Sequence, residues 1–176
     1  MKWVILDRDG VINEDSDAYI KSAAEWQPIP GSLEAIARLN QAGYRVCVAS
    51  NQSGLGRGLF DYDAFAAMNA LMHRRLGELG GRIDALAFAP ETPEQASEMR
   101  KPAPGMLRDL SRRLGLSLEG VWFIGDTATD VQAAQTAGAR PVLVRSGKGL
   151  ATEAAGIAGI PIYDDLASAV SALLTA

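Results

Sequence analysis

Near its start the chain reads Trp3-Val4-Ile5-Leu6-Asp7-Arg8-Asp9-Gly10-Val11, an apolar run that ends in two aspartates and a glycine. Such a run predicts a buried strand, and in parallel sheets ligands bind beyond the carboxyl ends of the strands. If the backbone stays extended, Asp7 and Asp9 project to the same side and can face one ligand. Two close carboxylates repel each other unless a cation lies between them, which indicates a hard metal ion such as Mg²⁺. Taken alone, the segment fits an Asp-rich turn equally well.

Length and composition are typical of a globular protein with one sizeable core. The chain has 176 residues, of which 48% are hydrophobic and 22% charged, and its net charge is -4. We therefore expect a single domain over residues 1–176, with no affinity for nucleic acid or anionic membranes. The first apolar run is too short for a signal peptide, and no run is long enough to span a bilayer. We expect a cytoplasmic protein that acts as a monomer.

The chain contains one cysteine and one histidine, which limits the chemistry that it can perform. Cys47 lies in an apolar stretch and is predicted to be a small buried side chain, and no disulfide can form within the chain. His73 lies in a helical pattern and is predicted to be at or near the surface. Neither a Cys/His zinc site nor a Ser-His-Asp triad is possible, so carboxylates, hydroxyls, lysine and a metal ion remain.

Strand and helix patterns alternate along the chain. Further strands are predicted over 45–49, 83–89, 121–124, 140–144 and 161–163. Helices are predicted after Ser32, after an Asp61 cap, over 104–114, from Asp130 to Gly138, after Thr152, and around 166–173. Residues 14–30 are predicted to form a long loop over the end of the first strand. The alternation predicts an α/β fold with a doubly wound parallel sheet.

Three further polar groups follow predicted strands or loops. Ser50-Asn51-Gln52-Ser53 leads into a glycine-rich loop at 54–58, a combination that suits the oxygens of an anion. Lys101 precedes a proline that keeps it extended. Gly125-Asp126 and Asp130 repeat the opening design, a buried strand followed by carboxylates. Taken individually, residues 50–53 also fit a generic polar loop, Lys101 a solvated loop residue, and Asp126 and Asp130 helix caps.

The four signals occur in the order Asp7-x-Asp9, Ser50-Asn51, Lys101 and Gly125-Asp126-x-x-x-Asp130. Together they resemble the haloacid dehalogenase (HAD) superfamily of phosphohydrolases over nearly the whole chain. Longer segments at 6–13, 50–54, 100–106 and 144–148 are similar to the heptose-1,7-bisphosphate 7-phosphatase family within it. Histidinol-phosphate phosphatases share much of this pattern. No insertion between the motifs is long enough for a separate cap domain, so we expect an open site closed only by loops.

The resemblance implies a mechanism in two steps. Asp7 attacks phosphorus and forms an aspartyl-phosphate, and Asp9 protonates the leaving alkoxide and then takes a proton from the attacking water. Mg²⁺ is expected to be bound by the Asp7 carboxylate, the Asp9 backbone carbonyl and Asp126. The resemblance implies no chemical role for Arg8, whose side chain is expected to point the other way.

The remaining superfamily motifs are expected to hold the transferred phosphoryl group. Ser50 and Lys101 would bind its oxygens, where negative charge must be stabilised. Asp130 is expected to orient Lys101 or a metal-bound water. Many relatives carry a zinc site in the loop before the lysine, but residues 90–99 contain no Cys or His, so structural zinc is not expected.

A small sugar phosphate is the expected partner. In the heptose family the loop after the first motif contacts the sugar, although here that loop looks one residue longer and lacks a histidine. Arg100 could pair bidentately with a second phosphate. The remaining candidate substrate-binding residues are Asp15, Asp17, Tyr19, Asn51, Gln52 and Ser53.

Three functions remain open at this point. The first is removal of the 7-phosphate of D-glycero-D-manno-heptose 1,7-bisphosphate, which would serve lipopolysaccharide precursor synthesis. The second is histidinol-phosphate hydrolysis, since the acids of residues 14–17 could bind a cationic amine. The third is a non-hydrolytic phosphoacceptor domain. Asp9 argues against the last because it supplies the acid–base group that hydrolysis requires.

Overall fold

The computed structural model describes residues 2–175, and its centre is one six-stranded sheet in which every pair of neighbouring strands is parallel. The strands are β1 (Lys2–Leu6), β2 (Tyr44–Asn51), β3 (Ala85–Ala89), β4 (Trp122–Gly125), β5 (Arg140–Val144) and β6 (Ile162–Tyr163). The helices are α1 (Ser32–Gln41), α2 (Ser53–Gly56), α3 (Tyr62–Glu78), α4 (Gly105–Leu114), α5 (Ala128–Ala137), α6 (Gly149–Ala154) and α7 (Leu166–Thr175). A single 3₁₀ turn covers Pro93–Gln95. The predicted α/β class is confirmed.

Helices cover both faces of the sheet, and the side chains of β1 alternate between them. Val4 and Leu6 pack in the cluster that includes residues of α1, α3 and α7. Trp3 and Ile5 pack in the opposite cluster, with residues of α4 and α5. Because β1 is buried on both faces, its sequence is a continuous apolar run instead of an alternating one.

The strand order β3-β2-β1-β4-β5-β6 places β1 and β4 side by side at the centre of the sheet. The chain winds outward from β1 to β3, crosses back to β4, and then winds outward to β6. The order of winding therefore reverses between β1 and β4, and this is where open α/β sheets form a ligand crevice at the carboxyl ends. Asp7 and Asp126 follow these two strands, and the Asp7 N–H donates to the Ile124 carbonyl over 2.9 Å.

Three expectations were wrong at a helix boundary or in kind. The helix expected from Asp130 begins at Ala128. The helix expected after Thr152 begins at Gly149, and the Thr152 hydroxyl, which lies inside this helix, donates to the carbonyl oxygens of Lys148 and Asp126. The glycine-rich stretch contains α2 and is not wholly loop. By contrast, Asp61 caps α3 as predicted, accepting from the Ala64 N–H over 2.8 Å.

The long loop at 14–30 is anchored into the core. Trp26 is fully buried, and Ile20 and Ile29 are also buried. The loop is thereby held over the carboxyl end of β1, as predicted. Cys47 is buried in β2 and His73 is exposed, also as predicted. Between residues 2 and 175, no helix combines the length and the apolar character needed to cross a membrane.

Candidate active site

A cavity of about 330 Å³ opens at the carboxyl edge of the sheet. It brings together side chains from five separate stretches of the chain, because the carboxyl ends of parallel strands meet at one edge. The predicted site residues that line it are Asp7, Asp9, Asp15, Asp17, Tyr19, Asn51, Gln52, Ser53, Arg100, Lys101 and Asp126. Ser50 does not line the cavity. It is 1% exposed, so its contact with a phosphoryl group stays a prediction.

Asp7 is held on one side and free on the other. Its Oδ1 accepts from the Arg8 backbone N–H over 2.8 Å and lies 3.0 Å from Lys101 Nζ. Its Oδ2 has no hydrogen-bond partner among residues 2–175. A carboxylate fixed through one oxygen presents the other in a defined direction, which is what a nucleophile requires.

Lys101 is a buried cation surrounded by oxygens. Its Nζ lies 2.6 Å from Asp130 Oδ1 and donates to the Ala49 carbonyl over 2.8 Å, in addition to its contact with Asp7. Burial by itself lowers the pKa of Lys101, but the negative charges of Asp130 and Asp7 outweigh it and raise the pKa above its ordinary value. Lys101 is therefore a permanent positive charge beside Asp7.

Asp130 both caps a helix and contacts Lys101. Its Oδ2 accepts from the Thr127 N–H over 3.0 Å and from the Thr127 hydroxyl over 2.7 Å, so it caps α5. Its Oδ1 faces Lys101. The capping interaction fixes the carboxylate, and the fixed carboxylate orients the lysine.

Asp126 is held by the loop that follows β5. Its Oδ2 accepts from the Lys148 N–H over 2.8 Å, while its buried Oδ1 has no partner among the described residues. Gly10 and Gly147 press against this carboxylate at positive φ, and a side chain at either position would collide with it. Burial, followed by the charges of Asp7 and Asp130, raises the pKa of Asp126 to about 8.

The buried carboxylates fit a divalent cation. Oxygens of Asp7, Asp126 and Asp130 lie within 4.8 Å of one another. Burial and then the charge of Asp130 raise the pKa of Asp7 to about 7. Ionisation of Asp7 is therefore unfavourable without a cation nearby. Asp130 already binds Lys101 and Thr127, so Asp7 and the unpartnered Oδ1 of Asp126 are the better ligands for a hard cation.

Two predicted substrate contacts are engaged within the protein instead. The Asn51 side chain donates to the Lys101 carbonyl over 2.9 Å and accepts from the Lys101 N–H over 3.0 Å, so it positions the lysine backbone. Gln52 donates to Asp9 Oδ2 over 2.7 Å and to Ser50 Oγ over 2.9 Å. Arg8 is turned away from the cavity, as expected, yet it binds Asp9 through its guanidinium.

The distal part of the cavity is cationic. Arg57 and Arg100 both line it, and sequence reasoning missed Arg57, whose only signal is its place after the glycine-rich stretch. Interaction with Ser53 and the charge of Arg57 lower the pKa of the Tyr19 hydroxyl. Burial lowers the pKa of Arg100, and its guanidinium donates to the Glu91 carbonyl over 3.0 Å.

The acidic loop at 14–17 is paired with a lysine that sequence reasoning did not single out. Lys148 Nζ lies 3.3 Å from Asp15 Oδ2 and 3.7 Å from Asp17 Oδ1. Lys148, Thr127 and Thr129 also line the cavity. The loop after β5 thereby touches both the acidic loop and the carboxylate of Asp126.

The fold and the site define a class of enzyme, and comparison with known proteins agrees. Residues 98–169 match the family model described as HAD-hydrolase-like. Together with the curated relatives described next, this match shows that the chain is a HAD-type phosphoric monoester hydrolase. The matched residues 98–169 contain Lys101, Asp126 and Asp130 but neither Asp7-x-Asp9 nor Ser50-Asn51.

Relatives that match almost the whole chain identify its family within this superfamily. The chain is 49% identical over 172 residues to D-glycero-β-D-manno-heptose-1,7-bisphosphate 7-phosphatase of Pseudomonas aeruginosa, covering 97% of each protein. The crystal structure of D,D-heptose 1,7-bisphosphate phosphatase from Bordetella bronchiseptica, complexed with magnesium and phosphate, superposes with a TM-score of 0.97 at 49% identity over 99% of both chains. The corresponding structure from Burkholderia thailandensis gives a TM-score of 0.80 at 43% identity, covering 100% of both chains. The chain belongs to the heptose-1,7-bisphosphate 7-phosphatase family.

Proposed function

We propose that this enzyme removes the 7-phosphate of D-glycero-D-manno-heptose 1,7-bisphosphate in a Mg²⁺-dependent reaction. The observation that carries the proposal is the state of Asp7, a buried carboxylate with one oxygen fixed by Lys101 and Arg8 and the other free at the cavity. Its product would serve the synthesis of lipopolysaccharide heptose in the cytoplasm. The Pseudomonas aeruginosa relative is named for the β anomer, and we propose the same preference here.

The residues divide the reaction into two steps. Asp7 Oδ2 forms a bond to phosphorus as the bond to the sugar oxygen breaks, and Asp9 gives a proton to that oxygen. Water then attacks the phosphorus of the aspartyl-phosphate, Asp9 takes its proton, and Asp7 leaves as a carboxylate. Lys101 neutralises charge on the transferred group and on Asp7 throughout.

A bound Mg²⁺ would supply positive charge that offsets the repulsion between the phosphate and the carboxylates. Asp7 and Asp126 are the side chains that would hold it, with the Asp9 carbonyl as a third ligand. The unpartnered Asp126 Oδ1 and the raised pKa values of both carboxylates support this assignment.

We expect Mg²⁺ to raise the melting temperature, and to raise it more at pH 8 than at pH 6. Without metal, pKa values of about 7 for Asp7 and about 8 for Asp126 lie above the ordinary aspartate value of 3.8. The folded chain then binds more protons than the unfolded chain, so its stability falls as the pH rises from about 4 to 8. Mg²⁺ binds the ionised carboxylates and reverses this loss. At about 100 times Kd the increase should be about 5–10 °C at pH 8.

Thermal unfolding with and without Mg²⁺ measures this effect. Asp126→Asn should abolish the increase, whereas Asp109→Asn, which removes a carboxylate paired with Arg112 and Arg113 on α4, should retain it. An equal increase at pH 6 and pH 8, or an increase that survives in Asp126→Asn, would contradict the assignment.

The charge of the distal cavity favours a bisphosphate over histidinol phosphate. Arg57, which also pairs with Glu94 at 3.6 Å, and Arg100 present two guanidinium groups there, which suits a second phosphate. The acids that could have bound a cationic amine, Asp15 and Asp17, are already paired with Lys148. Histidinol phosphate would have to share these acids with Lys148.

The deciding experiment is phosphate release with Mg²⁺ from both heptose bisphosphate anomers, histidinol phosphate, fructose bisphosphate and a phosphorylated oligonucleotide. We expect a large preference in kcat/KM for a heptose bisphosphate, and loss of activity in EDTA. A preference for histidinol phosphate, or a flat profile across the panel, would overturn the substrate assignment.

Arg100→Met should raise KM for the bisphosphate by about 10–100-fold, because a charge-assisted bidentate contact of about 1.5–3 kcal/mol is lost. A monophosphate that lacks the second phosphate should be affected less than threefold. Arg38→Met provides a matched control, since Arg38 is an exposed residue of α1 whose guanidinium donates to the Ser171 hydroxyl, away from the cavity. An equal rise in KM for both substrates would contradict a contact with the second phosphate.

We also propose that residues 1–176 act as one catalytic domain and as a monomer. The five stretches that line the cavity each follow a strand of one sheet, which supports a single catalytic domain.

A further inference from the structure

We propose that Arg8 and Gln52 are positioning residues that aim Asp9 at the leaving-group oxygen, with Asp9 Oδ2 as the atom that carries the proton. The inference rests on the proposed phosphatase mechanism, in which Asp9 is the acid and base. Neither residue was expected to act in this way. Gln52 was predicted to contact the substrate, and Arg8 had no predicted role.

Arg8 is a buried charge whose partner is Asp9. The residue is 1% exposed, and its guanidinium lies 5.6 Å from the centre of the Phe65 ring. Its Nε and Nη2 donate to Asp9 Oδ1 over 3.1 and 2.9 Å. A buried cation is tolerated only when it is paired, so the fold holds the Asp9 carboxylate against Arg8.

Gln52 completes a ring of hydrogen bonds with Arg8 and Asp9. Its Nε2 donates to Asp9 Oδ2 over 2.7 Å, and its Oε1 accepts from Arg8 Nη2 over 3.3 Å. Gln52 is 4% exposed, and its backbone N–H donates to the Ala89 carbonyl over 2.8 Å, so it is fixed to the end of β3. The carboxylate of Asp9 is thus held from two directions, while 22% of its side chain stays exposed.

The two oxygens of Asp9 are not equivalent. Oδ1 accepts three hydrogen bonds of 3.1 Å or less, two from Arg8 and one of 2.8 Å from Asn13 Nδ2. Oδ2 accepts one such bond, from Gln52, and a longer one of 3.2 Å from Arg8 Nη2. Oδ1 has no lone pair to spare for a proton, whereas Oδ2 can carry a proton and still accept from Gln52.

This assignment gives the proton a defined path. In the first step the proton on Oδ2 passes to the bridging oxygen as the phosphorus–oxygen bond breaks, and the electron pair of that bond stays on the oxygen. In the second step Oδ2 takes a proton from the attacking water. Gln52 also donates to Ser50 Oγ, so one side chain connects the acid to the hydroxyl of the second motif.

Substrates with different leaving groups separate this role from a structural one. An alkoxide needs a proton to leave, but 4-nitrophenolate does not, and kcat/KM reports the steps up to departure of the leaving group. Gln52→Met should lower kcat/KM for a primary sugar phosphate by about 10–100-fold, part of the 10²–10⁴-fold typical of acid–base catalysis. For 4-nitrophenyl phosphate the fall should be less than threefold. Arg8→Lys, which keeps the charge but loses the two-pronged contact, should show the same selective loss.

Thermal unfolding of each variant confirms that it is folded, and Gln135→Met, an exposed position on α5, is the matched control. An equal fall for both leaving groups would overturn the proposal, because it would mean that the ring only maintains the site. No fall for either would also overturn it. If the wild-type enzyme hydrolyses other sugar phosphates but not heptose bisphosphate, the proposed substrate fails while this comparison still tests Asp9.

Discussion

Asp7→Asn and Asp9→Asn are each expected to lower kcat by about 10⁴-fold or more in a protein that still folds, with a lower melting temperature for Asp9→Asn because buried Arg8 loses its counter-charge. An amide at position 7 is a poor nucleophile, so the covalent step is lost. An amide at position 9 can neither give a proton to the alkoxide nor take one from water. Steady-state phosphate release measures both effects, and the melting temperature checks the fold.

The covalent intermediate distinguishes the two variants. With 4-nitrophenyl phosphate, Asp9→Asn should still form the aspartyl-phosphate, because this leaving group needs no proton, and the intermediate should accumulate because water attack lacks its base. Asp7→Asn should form none. Rapid quenching and mass spectrometry of the peptide that contains residue 7 measure the difference.

Asp109→Asn is the matched control, since this carboxylate pairs with arginines on α4 and does not line the cavity. Near-normal turnover by Asp7→Asn, with the asparagine shown to be intact by mass, would contradict the mechanism. A wild-type aspartyl-phosphate that persists without turnover would instead support the phosphoacceptor alternative.

Lys101→Met is expected to have the largest effect on stability, lowering the free energy of unfolding by about 3–5 kcal/mol at pH 8 and abolishing turnover. Lys101 is 2% exposed and contacts both Asp7 and Asp130, so its removal leaves two buried carboxylates without their cation. Urea denaturation without Mg²⁺ measures the loss.

The loss should be smaller at pH 5, where protonation of Asp7, whose pKa burial raises to about 7, removes part of the unpaired charge. Combining Lys101→Met with Asp130→Asn should recover part of the stability, because one of those charges is then absent. Lys21→Met is the control, since Lys21 pairs with Glu25 at 3.5 Å at the surface and should contribute less than about 1 kcal/mol. A loss below about 1 kcal/mol in Lys101→Met would contradict the role of this lysine in the folded state.

Much of the fold was predictable because its information is local. The β5 bounds agree with the prediction, and β1 and β4 are continuous apolar runs because they are buried on both faces. The alternation of strands and helices implies a parallel sheet, and a parallel sheet gathers the residues after its strands at one edge. Hence Asp7, Lys101 and Asp126 could be assigned to one site from their order in the chain.

The contacts between side chains were not predictable in this way. Asn51 and Gln52 are adjacent and both carry amides, yet Asn51 binds the backbone of Lys101 and Gln52 binds Asp9. Which amide faces which partner depends on where β2 ends relative to the neighbouring loops. The short helix α2 depends likewise on tertiary packing, because Gly54 lies against the Phe60 ring and Gly56 against the Pro90 carbonyl.

The sequence by itself determined the class of fold through the alternating periodicity of strands and helices, and the order of its four motifs carried the resemblance that indicated the family. Only the tertiary structure decided that Arg8 pairs with Asp9, that Lys148 lies between Asp15 and Asp17, and that Arg57 joins Arg100 in the cavity. The physical reason is that a charged or amide side chain can pair with any complementary group within reach. Folding alone brings residues as distant in sequence as Gln52 and Asp9 to within 2.7 Å.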